Sequence, residues 1–401
     1  MILAPKQTIT VSARWIFPVA RPPISGGAIV VENGRIAELL SDKPRDLDFD
    51  FDDAVILPGL VNAHVHLDLT SASGLAVPSS DFVGWLKEVI AFRRSMDADD
   101  VRTAVQEGIR QCLRNGTTLI GDISGDGSSW PIVAASGLRA VVFRELIGLP
   151  KDRAERAWQS AQEWLGACPP TDRCRPGLSP HAPYSARVSL IKAAAQSGVP
   201  CAMHVAEFAG ERELLVEHGG PFVPFLQGVG AWDPLGLAKS PEHVLRLLEG
   251  SSPTLAVHAN YLADSVHVPG NISVVYCPRT QRAFEHPAFP LQRWIERGVR
   301  LALGTDSLAS NPDLSLLDEL RFIRANDPEI ENAAILRLGT LAGAEALGFA
   351  GECGSLEPGK AADFVVVPIE PSWANDDPHE SFLTGNAAPR ETWIGGNRVW
   401  P

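Results

Sequence analysis

The chain has 401 residues, 45% hydrophobic and 21% charged, which is the composition of a soluble globular protein long enough to bury a sizeable core. Its formal charge is −13, from 35 basic and 48 acidic residues, with no block of lysine or arginine; the electrostatic footprint of nucleic-acid or anionic-membrane binding is missing, and small-molecule partners are expected. No run of 18 apolar residues occurs, the N-terminus MILAPKQTITVSARWIF lacks a secretory layout, and the six cysteines (Cys112, Cys168, Cys174, Cys201, Cys277, Cys353) form no CxxC, so buried free thiols in a reducing cytoplasm are the expectation.

The first 55 or so residues read as short strands and tight turns, TITVSARWIF and then GGAIVVENGRIAELL, where Asn33-Gly34 is a strong hairpin signal. The last 50 or so resume that style in GSLEPGKAADFVVV and ETWIGGNRVWP, with NRVW as a terminal strand. Neither end alone supplies enough strands to bury a face, so residues 1–55 and 354–401 are expected to build one composite β-sandwich module. Between them, 56–353 alternates apolar runs with amphipathic helical stretches. Candidate strands lie at 59–65, 117–123, 140–146, 176–182, 200–206, 254–260, 272–278 and 299–306. Segments such as DADDVRTAVQEGIRQCLRNG and SLIKAAAQSG have helical character and end at glycine. Eight strands alternating with helices predict an α/β fold of the (β/α)8 TIM-barrel type, whose active sites gather at the C-terminal strand ends. A doubly wound sheet shares the alternation, but no glycine-rich phosphate turn follows the first strand.

Those strand ends carry ligand-type side chains. The first ends in His64 and His66, the fourth in His181, the fifth in His204 with Glu207 three residues on, the sixth in His258 and the eighth in Asp306. Residues i and i+2 of a strand share a face, so His64 and His66 can present two imidazoles side by side. Taken singly, each has an ordinary explanation: packed histidines, a surface glutamate, an aspartate capping a turn. The joint occurrence of the residues on the first, fifth, sixth and eighth strands, four independent strand ends, is what argues for a site. Three imidazoles and a carboxylate suit one divalent metal, Zn²⁺ first and Fe²⁺ second, with His64, His66, His204 and Asp306 as the expected ligands and a water at an open position.

In this order, LPGLVNAHVHL, GLSPHAPYS, MHVAE, LAVHANYL, VVYCPRT, LGTDSLASN and GSLEPGKAADFVVV resemble the amidohydrolase superfamily, specifically its branch of cytosolic aminohydrolases and chlorohydrolases. The resemblance implies a (β/α)8 barrel with a split β module, a metal held by the four ligands above, and proton transfer by Glu207 and His258. Two-metal members carry a bridging lysine at the end of strand four; GLSPHAPYS has none before Lys192, which implies a mononuclear site with His181 as a substrate-binding residue. Homodimerisation is a family expectation.

GLSPHAPYS, CPRTQRAFEHPAFPL and LGTDSLASNPDLSLLDEL most resemble the bacterial aminofutalosine deaminases of the futalosine route to menaquinone. Other deaminases of the branch usually have Ser-Asn shortly after the strand-seven Cys-Pro, where this chain has Arg279-Thr280-Gln281-Arg282, which suggests an anionic ligand such as a benzoate carboxylate bound by Arg279 or Arg282. Arg144 and Glu145 are further candidates for substrate contact, and Phe82 and Trp85 could wall the site against an aromatic ring. The expected reaction is hydrolytic deamination of an adenine-type ring with Glu207, His258 and Asp306 moving protons. The alternatives are deamination of another purine or nucleoside (adenosine, guanine, S-adenosylhomocysteine, methylthioadenosine), a triazine-type C–N or C–Cl hydrolase, and a metal-free scaffold.

Overall fold

The computed structural model describes residues 8–74, 78, 80–250, 253–263, 265–370 and 377–401. It divides into two compact units, Met1–Asn62 with Arg110–Leu119 and Ser315–Pro401, and Ala63–Ile109 with Ile120–Leu314. The first unit contains two sheets drawn from both chain ends. One pairs the antiparallel strands Thr8–Ser12, Ala28–Glu32 and Arg35–Leu40; the other sets Phe364–Pro368 between Ala54–Pro58 and Glu391–Ile394, with Asn397–Trp400 beyond. The hairpin at Asn33-Gly34 forms because both residues take positive φ (52° and 77°), which a two-residue type I′ turn requires and which this pair tolerates. Val11, Ile29 and Val31 of one sheet pack with Ile56, Phe364, Val366 and Trp393 of the other in a single buried core.

The larger sheet is the parallel barrel. Its eight strands neighbour one another in sequential order: β1 (Leu60–Val65), β2 (Thr117–Ser124), β3 (Arg139–Leu146), β4 (Cys174–Pro180), β5 (Cys201–Val205), β6 (Thr254–His258), β7 (Ile272–Tyr276) and β8 (Leu301–Leu303). Almost every strand residue is buried, as expected of strands covered on both faces. Between them run α1 (Phe82–Ser95), α2 (Ala98–Arg114), α3 (Trp130–Ala135), α4 (Lys151–Ala167), α5 (Val188–Ala195) and α6 (Gly210–Glu217), followed by shorter helices. Local chemistry sets their ends. Asp81 caps α1 by accepting the Gly84 N–H at 2.9 Å, α2 opens on Asp99 and Asp100, and the chain leaves α2 and α5 through Gly116 and Gly198, both at φ 81°.

Strands β4 to β8 are shorter at their C-terminal ends than the apolar runs suggest. β6 stops at His258 because His258 and Ala259 turn to positive φ (69° and 56°), and β7 stops before Pro278, which opens a helix at Pro278–Ala283. β8 is cut to Leu301–Leu303, after which the chain closes back on β1: the Asp306 N–H donates to the His64 carbonyl at 3.0 Å, and Val65 and Asp306 form a parallel bridge. Gly304 permits that approach, since a Cβ there would lie 2.7 Å from the His64 Cβ. All six cysteines are buried and none is in a disulfide, and among the described residues no helix is long and apolar enough to cross a membrane.

Candidate active site

The barrel brings its strand-end residues to one rim. His64 lies in β1 and His66 just beyond it, His181 follows β4, His204 lies in β5 with Glu207 after it, His258 closes β6, and Asp306 follows β8. Three of these turns are held in the left-handed region by non-glycine residues, Ala206 (φ 51°), His258 (69°) and Asp306 (61°). Such backbone is costly and persists where surrounding structure over-determines it, which is common at functional sites.

The four expected ligands fall in two overlapping groups that share His64: His64, His66 and Asp306, and His64 and His204 together with His258, the expected proton-transfer residue, with ligand-type atoms within 4.8 Å of one another in each. Asp306 Oδ1 stands 3.5 Å from His64 Nε2 and 3.6 Å from His66 Nε2. Burial, then the charges of neighbouring groups beginning with His64, push the His66 imidazole well below its ordinary pKa; burial, followed by His64, His181, His258 and His66, does the same to His204. Both are therefore neutral at pH 7, the form that binds metal. Burial alone would raise Asp306, but a hydrogen bond from His64 and the charges of His258, His64 and His66 outweigh it and hold the carboxylate ionised. Its oxygens also accept the Ser307 N–H at 2.7 Å and the Ser310 hydroxyl at 3.1 Å.

His204 is oriented from behind. Its Nδ1 lies 2.8 Å from the His181 carbonyl oxygen, an acceptor only, so Nδ1 carries the proton and Nε2 is left with its lone pair toward the cluster. His181 in turn lies with Nδ1 2.7 Å from the Ser185 hydroxyl and Nε2 3.8 Å from Glu145 Oε1.

Glu207 faces the same cluster. Its Oε1 is 3.5 Å from His258 Nε2, which is 4.0 Å from Asp306 Oδ2. Burial, and then the charges of Asp306 and Glu211, raise the Glu207 carboxyl well above the ordinary range, which favours its protonated form. Burial lowers His258 to about 3, which leaves it a neutral acceptor.

A sequence description of the amidohydrolase family matches residues 55–399. The chain belongs to that family.

Like other amidohydrolases of the deaminase kind, it is a hydrolase acting on carbon–nitrogen bonds. It is 30% identical over 383 residues to a 5-methylthioadenosine/S-adenosylhomocysteine deaminase of Moorella thermoacetica, covering 88% of this chain and 84% of the relative. It is 27% identical to an aminodeoxyfutalosine deaminase of Nitratiruptor sp., covering 86% and 87%. The crystal structure of Helicobacter pylori aminofutalosine deaminase in complex with methylthio-coformycin superposes with a TM-score of 0.85 at 25% identity, covering 98% of this chain and all of that one.

In this amidohydrolase the site opens into a cavity of about 670 Å³, a size that buries a drug-sized ligand. His66, His204, Glu207, His258 and Asp306 line it, with His181, Glu145, Phe82 and Trp85. Phe82 is fully buried and stacks on Phe208 at 5.1 Å, so it anchors α1 as well as walling the cavity; the Trp85 indole N–H donates to the Ala309 carbonyl at 3.2 Å. Three of the expected substrate contacts do not reach it. Arg279 forms a bidentate ion pair with Asp313 (2.7 and 3.0 Å), Arg144 donates twice to Ser160 at 2.7 Å on α4, and Arg282 is an exposed helix residue; none lines the cavity. The physical reason is register: arginine at a strand end or in the following helix points outward as easily as inward, and here carboxylate and hydroxyl partners outside the cavity capture two of the three.

Other residues that shape the site gave no isolated signal in the sequence. Glu211, on α6, accepts the backbone N–H groups of Ala206 (3.0 Å), Glu207 (2.7 Å) and Phe208 (3.3 Å), while Asn260 donates to the Glu207 carbonyl at 3.2 Å. Arg93, on α1, bridges Glu145 (2.9 Å) and Asp68 (3.0 Å) and stands 3.3 Å from His66 Nδ1. Burial opposes its charge, but Asp68 and Glu145 outweigh burial and keep the guanidinium protonated. Asp122, in β2, accepts the Leu67 N–H at 3.0 Å and the Ser129 hydroxyl at 2.5 Å and so fixes the chain just after His66.

Proposed function

We propose that this amidohydrolase hydrolyses the exocyclic amino group of an adenine-type ring in a nucleoside, with aminofutalosine as the first candidate substrate, using one divalent metal held by His64, His66, His204 and Asp306. The observation that carries the reading is the juxtaposition of Glu207 and His258 at 3.5 Å, with Asp306 Oδ2 4.0 Å from the same imidazole nitrogen and all three lining a large cavity; burial favours the protonated form of Glu207. The donor set fits the metal: neutral imidazoles with a carboxylate suit Zn²⁺, or Fe²⁺ as second choice, and the His181 carbonyl fixes the His204 tautomer with Nε2 available as a ligand. When bound, such an ion lowers the pKa of its water from about 16 toward about 7 and supplies a nucleophile at neutral pH.

The chain's own residues move the protons. Asp306 and His258 orient the attacking water and accept the proton it gives up as its oxygen adds to the amino-bearing carbon. Glu207 donates its proton to the adjacent ring nitrogen in the same step, then takes the hydroxyl proton from the tetrahedral carbon and passes it to the departing amine as the C–N bond breaks; the proton held by His258 or Asp306 returns to Glu207, and the products are a hypoxanthine-type ring and ammonia. Glu211 and Asn260 hold the Glu207 backbone from both sides, so the acid is positioned before substrate arrives. His181 lines the cavity, which supports it as a contact to the heterocycle. The printed names of the Nitratiruptor and H. pylori relatives support the aminofutalosine reading, and that of the M. thermoacetica relative supports methylthioadenosine and S-adenosylhomocysteine as the alternatives. Six buried thiols suit a reducing cytoplasm.

The test is ammonia release and the adenine-to-hypoxanthine absorbance change with aminofutalosine, methylthioadenosine, S-adenosylhomocysteine and adenosine, using wild type and Glu207→Gln. Turnover of aminofutalosine well above the others, lost in the variant, is expected. No ammonia from any of the four would overturn the reading.

A further inference from the structure

Three arginines line the cavity, and they are not equivalent: Arg93, Arg94 and Arg153. Arg93 is neutralised by Asp68 and Glu145. Arg94, in the last turn of α1, and Arg153, in the first turn of α4, are both exposed, and neither has an ion-pair partner among the described residues. Six acids also line the cavity: Asp68 and Glu145 pair with Arg93, Glu207 and Asp306 belong to the histidine cluster, and the other two are engaged by backbone, where Asp97 accepts the Asp99 N–H at 2.8 Å and the Asp100 N–H at 2.9 Å, and Asp126 accepts the Ser128 N–H at 2.9 Å. A cation in the first turn of a helix opposes the macrodipole, so Arg153 is poorly placed for the stability of α4; together with that helix end it is well placed to attract an anion.

The wall near Arg153 is apolar and open. Ile147 is 57% exposed and Val229 41% exposed, and both line the cavity, whereas His66, His204, Glu207, His258 and Asp306 are buried. A Cβ built on Gly230 would lie 3.7 Å from Arg153 Nη2, which sets the guanidinium beside the turn that carries Val229. Burial therefore separates a deep polar end from an outer end that combines exposed aliphatic surface with unpaired guanidinium groups.

Resting on the deaminase reading above, we propose that Arg94 and Arg153 are specificity-determining residues that bind a carboxylate, and that the outer part of the cavity takes an apolar 5′ substituent of the nucleoside ending in that carboxylate. A guanidinium matches a carboxylate in a bidentate fork, and Ile147 and Val229 bury the hydrocarbon that carries it. This assigns to Arg94 and Arg153 the anion recognition that Arg279 cannot provide while bound to Asp313.

The test compares three substrates with the metal-loaded enzyme: an adenine nucleoside whose 5′ group ends in a benzoate, its methyl ester, and neutral methylthioadenosine. Arg94→Gln, Arg153→Gln and the double variant are assayed beside wild type. The acid is expected to show the lowest KM in wild type, rising about 10- to 100-fold in each variant, with kcat and KM for the ester and the neutral nucleoside unchanged. Equal KM for acid and ester, an equal loss on all three substrates, or a lower KM for zwitterionic S-adenosylhomocysteine than for the acid would overturn the anion site. Failure of all three to release ammonia would instead overturn the deaminase reading. In that case calorimetric titration of wild type and the double variant with the acid decides the anion site: a Kd that the double variant weakens supports it, and an unchanged Kd overturns it.

Discussion

The Glu211 carboxylate accepts the Glu207 backbone N–H at 2.7 Å, so one buried acid holds another in place. Burial pushes Glu211 up to about 7, against the pull of its three backbone hydrogen bonds. Glu211 is hydrogen-bonded to the backbone of Ala206, Glu207 and Phe208, not to the proposed metal ligands, and acts through the loop that presents Glu207. Glu211→Gln keeps one acceptor oxygen but places an amide donor against an N–H group. Its kcat is expected to fall about 10-fold or more, with KM and bound metal little changed, because a small misplacement of an acid costs transition-state stabilisation before it costs binding. Steady-state kinetics with metal analysis checks this; a rise in KM alone would assign Glu211 to binding.

Removing the acid itself is more severe. Glu207→Gln keeps the shape and loses the proton, and general acid catalysis of this kind is worth about 10²- to 10⁴-fold. The expected result is that loss in kcat with metal content and nucleoside affinity retained, measured by single-turnover assay and equilibrium titration. Loss of metal together with activity would make Glu207 a ligand.

Much of the site was legible because strands impose period two and barrels impose one functional end. His64 and His66 were readable as a pair, and the apolar runs located all eight strands to within a few residues at each end. The partners of the polar atoms were not readable. Nothing in AFRRS distinguishes Arg93, folded inward onto Asp68 and Glu145, from Arg94, left exposed at the cavity, because a helix turns adjacent residues about 100° apart and only packing says which direction is in. Arg279 illustrates the converse. Its position after strand seven suggested substrate contact, while its partner Asp313 lies 34 residues on in a loop whose return path no local pattern records.

Arg279 should therefore matter for stability and not for turnover. The pair is partly buried, with side-chain exposures of 13% for Arg279 and 40% for Asp313. Arg279→Ala is expected to destabilise the protein by about 1 kcal/mol, since partly solvated ion pairs contribute little, and to leave kcat/KM for both neutral and carboxylate-bearing nucleosides within about twofold. Chemical denaturation and the same kinetic assay decide it; a selective loss on the acid would return Arg279 to the substrate site.

Metal removal gives a separable outcome. His204 contributes an imidazole whose tautomer is set by the His181 carbonyl at 2.8 Å, so His204→Ala deletes a proposed ligand without disturbing β5 hydrogen bonding. One equivalent of divalent metal is expected in wild type and much less in the variant, and chelation of wild type should abolish deamination and lower the thermal midpoint, because an ion bound only to the folded state stabilises it by mass action. Elemental analysis with calorimetry reads both; full activity in chelated, metal-free protein would overturn the metal assignment.

Asp122 offers a pH test. It is fully buried, and burial raises its pKa from 3.8 to about 7 despite hydrogen bonds from Ser129 and Leu67. The folded state therefore binds this proton more tightly than the unfolded state, and stability falls as pH rises from about 4 to about 7, by at most about 4 kcal/mol at 1.36 kcal/mol per pKa unit. Above pH 7 the carboxylate is ionised in both states and the slope from this group ends. In Asp122→Asn the amide oxygen still accepts from Leu67 and the amide N–H₂ donates to Ser129, so the packing survives without a titrating group. The variant is thus expected to match wild type near pH 4, to exceed it in urea midpoint at pH 7 to 8, and to lose the part of the slope between them that Asp122 contributes. Urea titrations at each pH on chelated protein make the comparison, and parallel curves for the two proteins would show that Asp122 ionises in the folded state as easily as in the unfolded one.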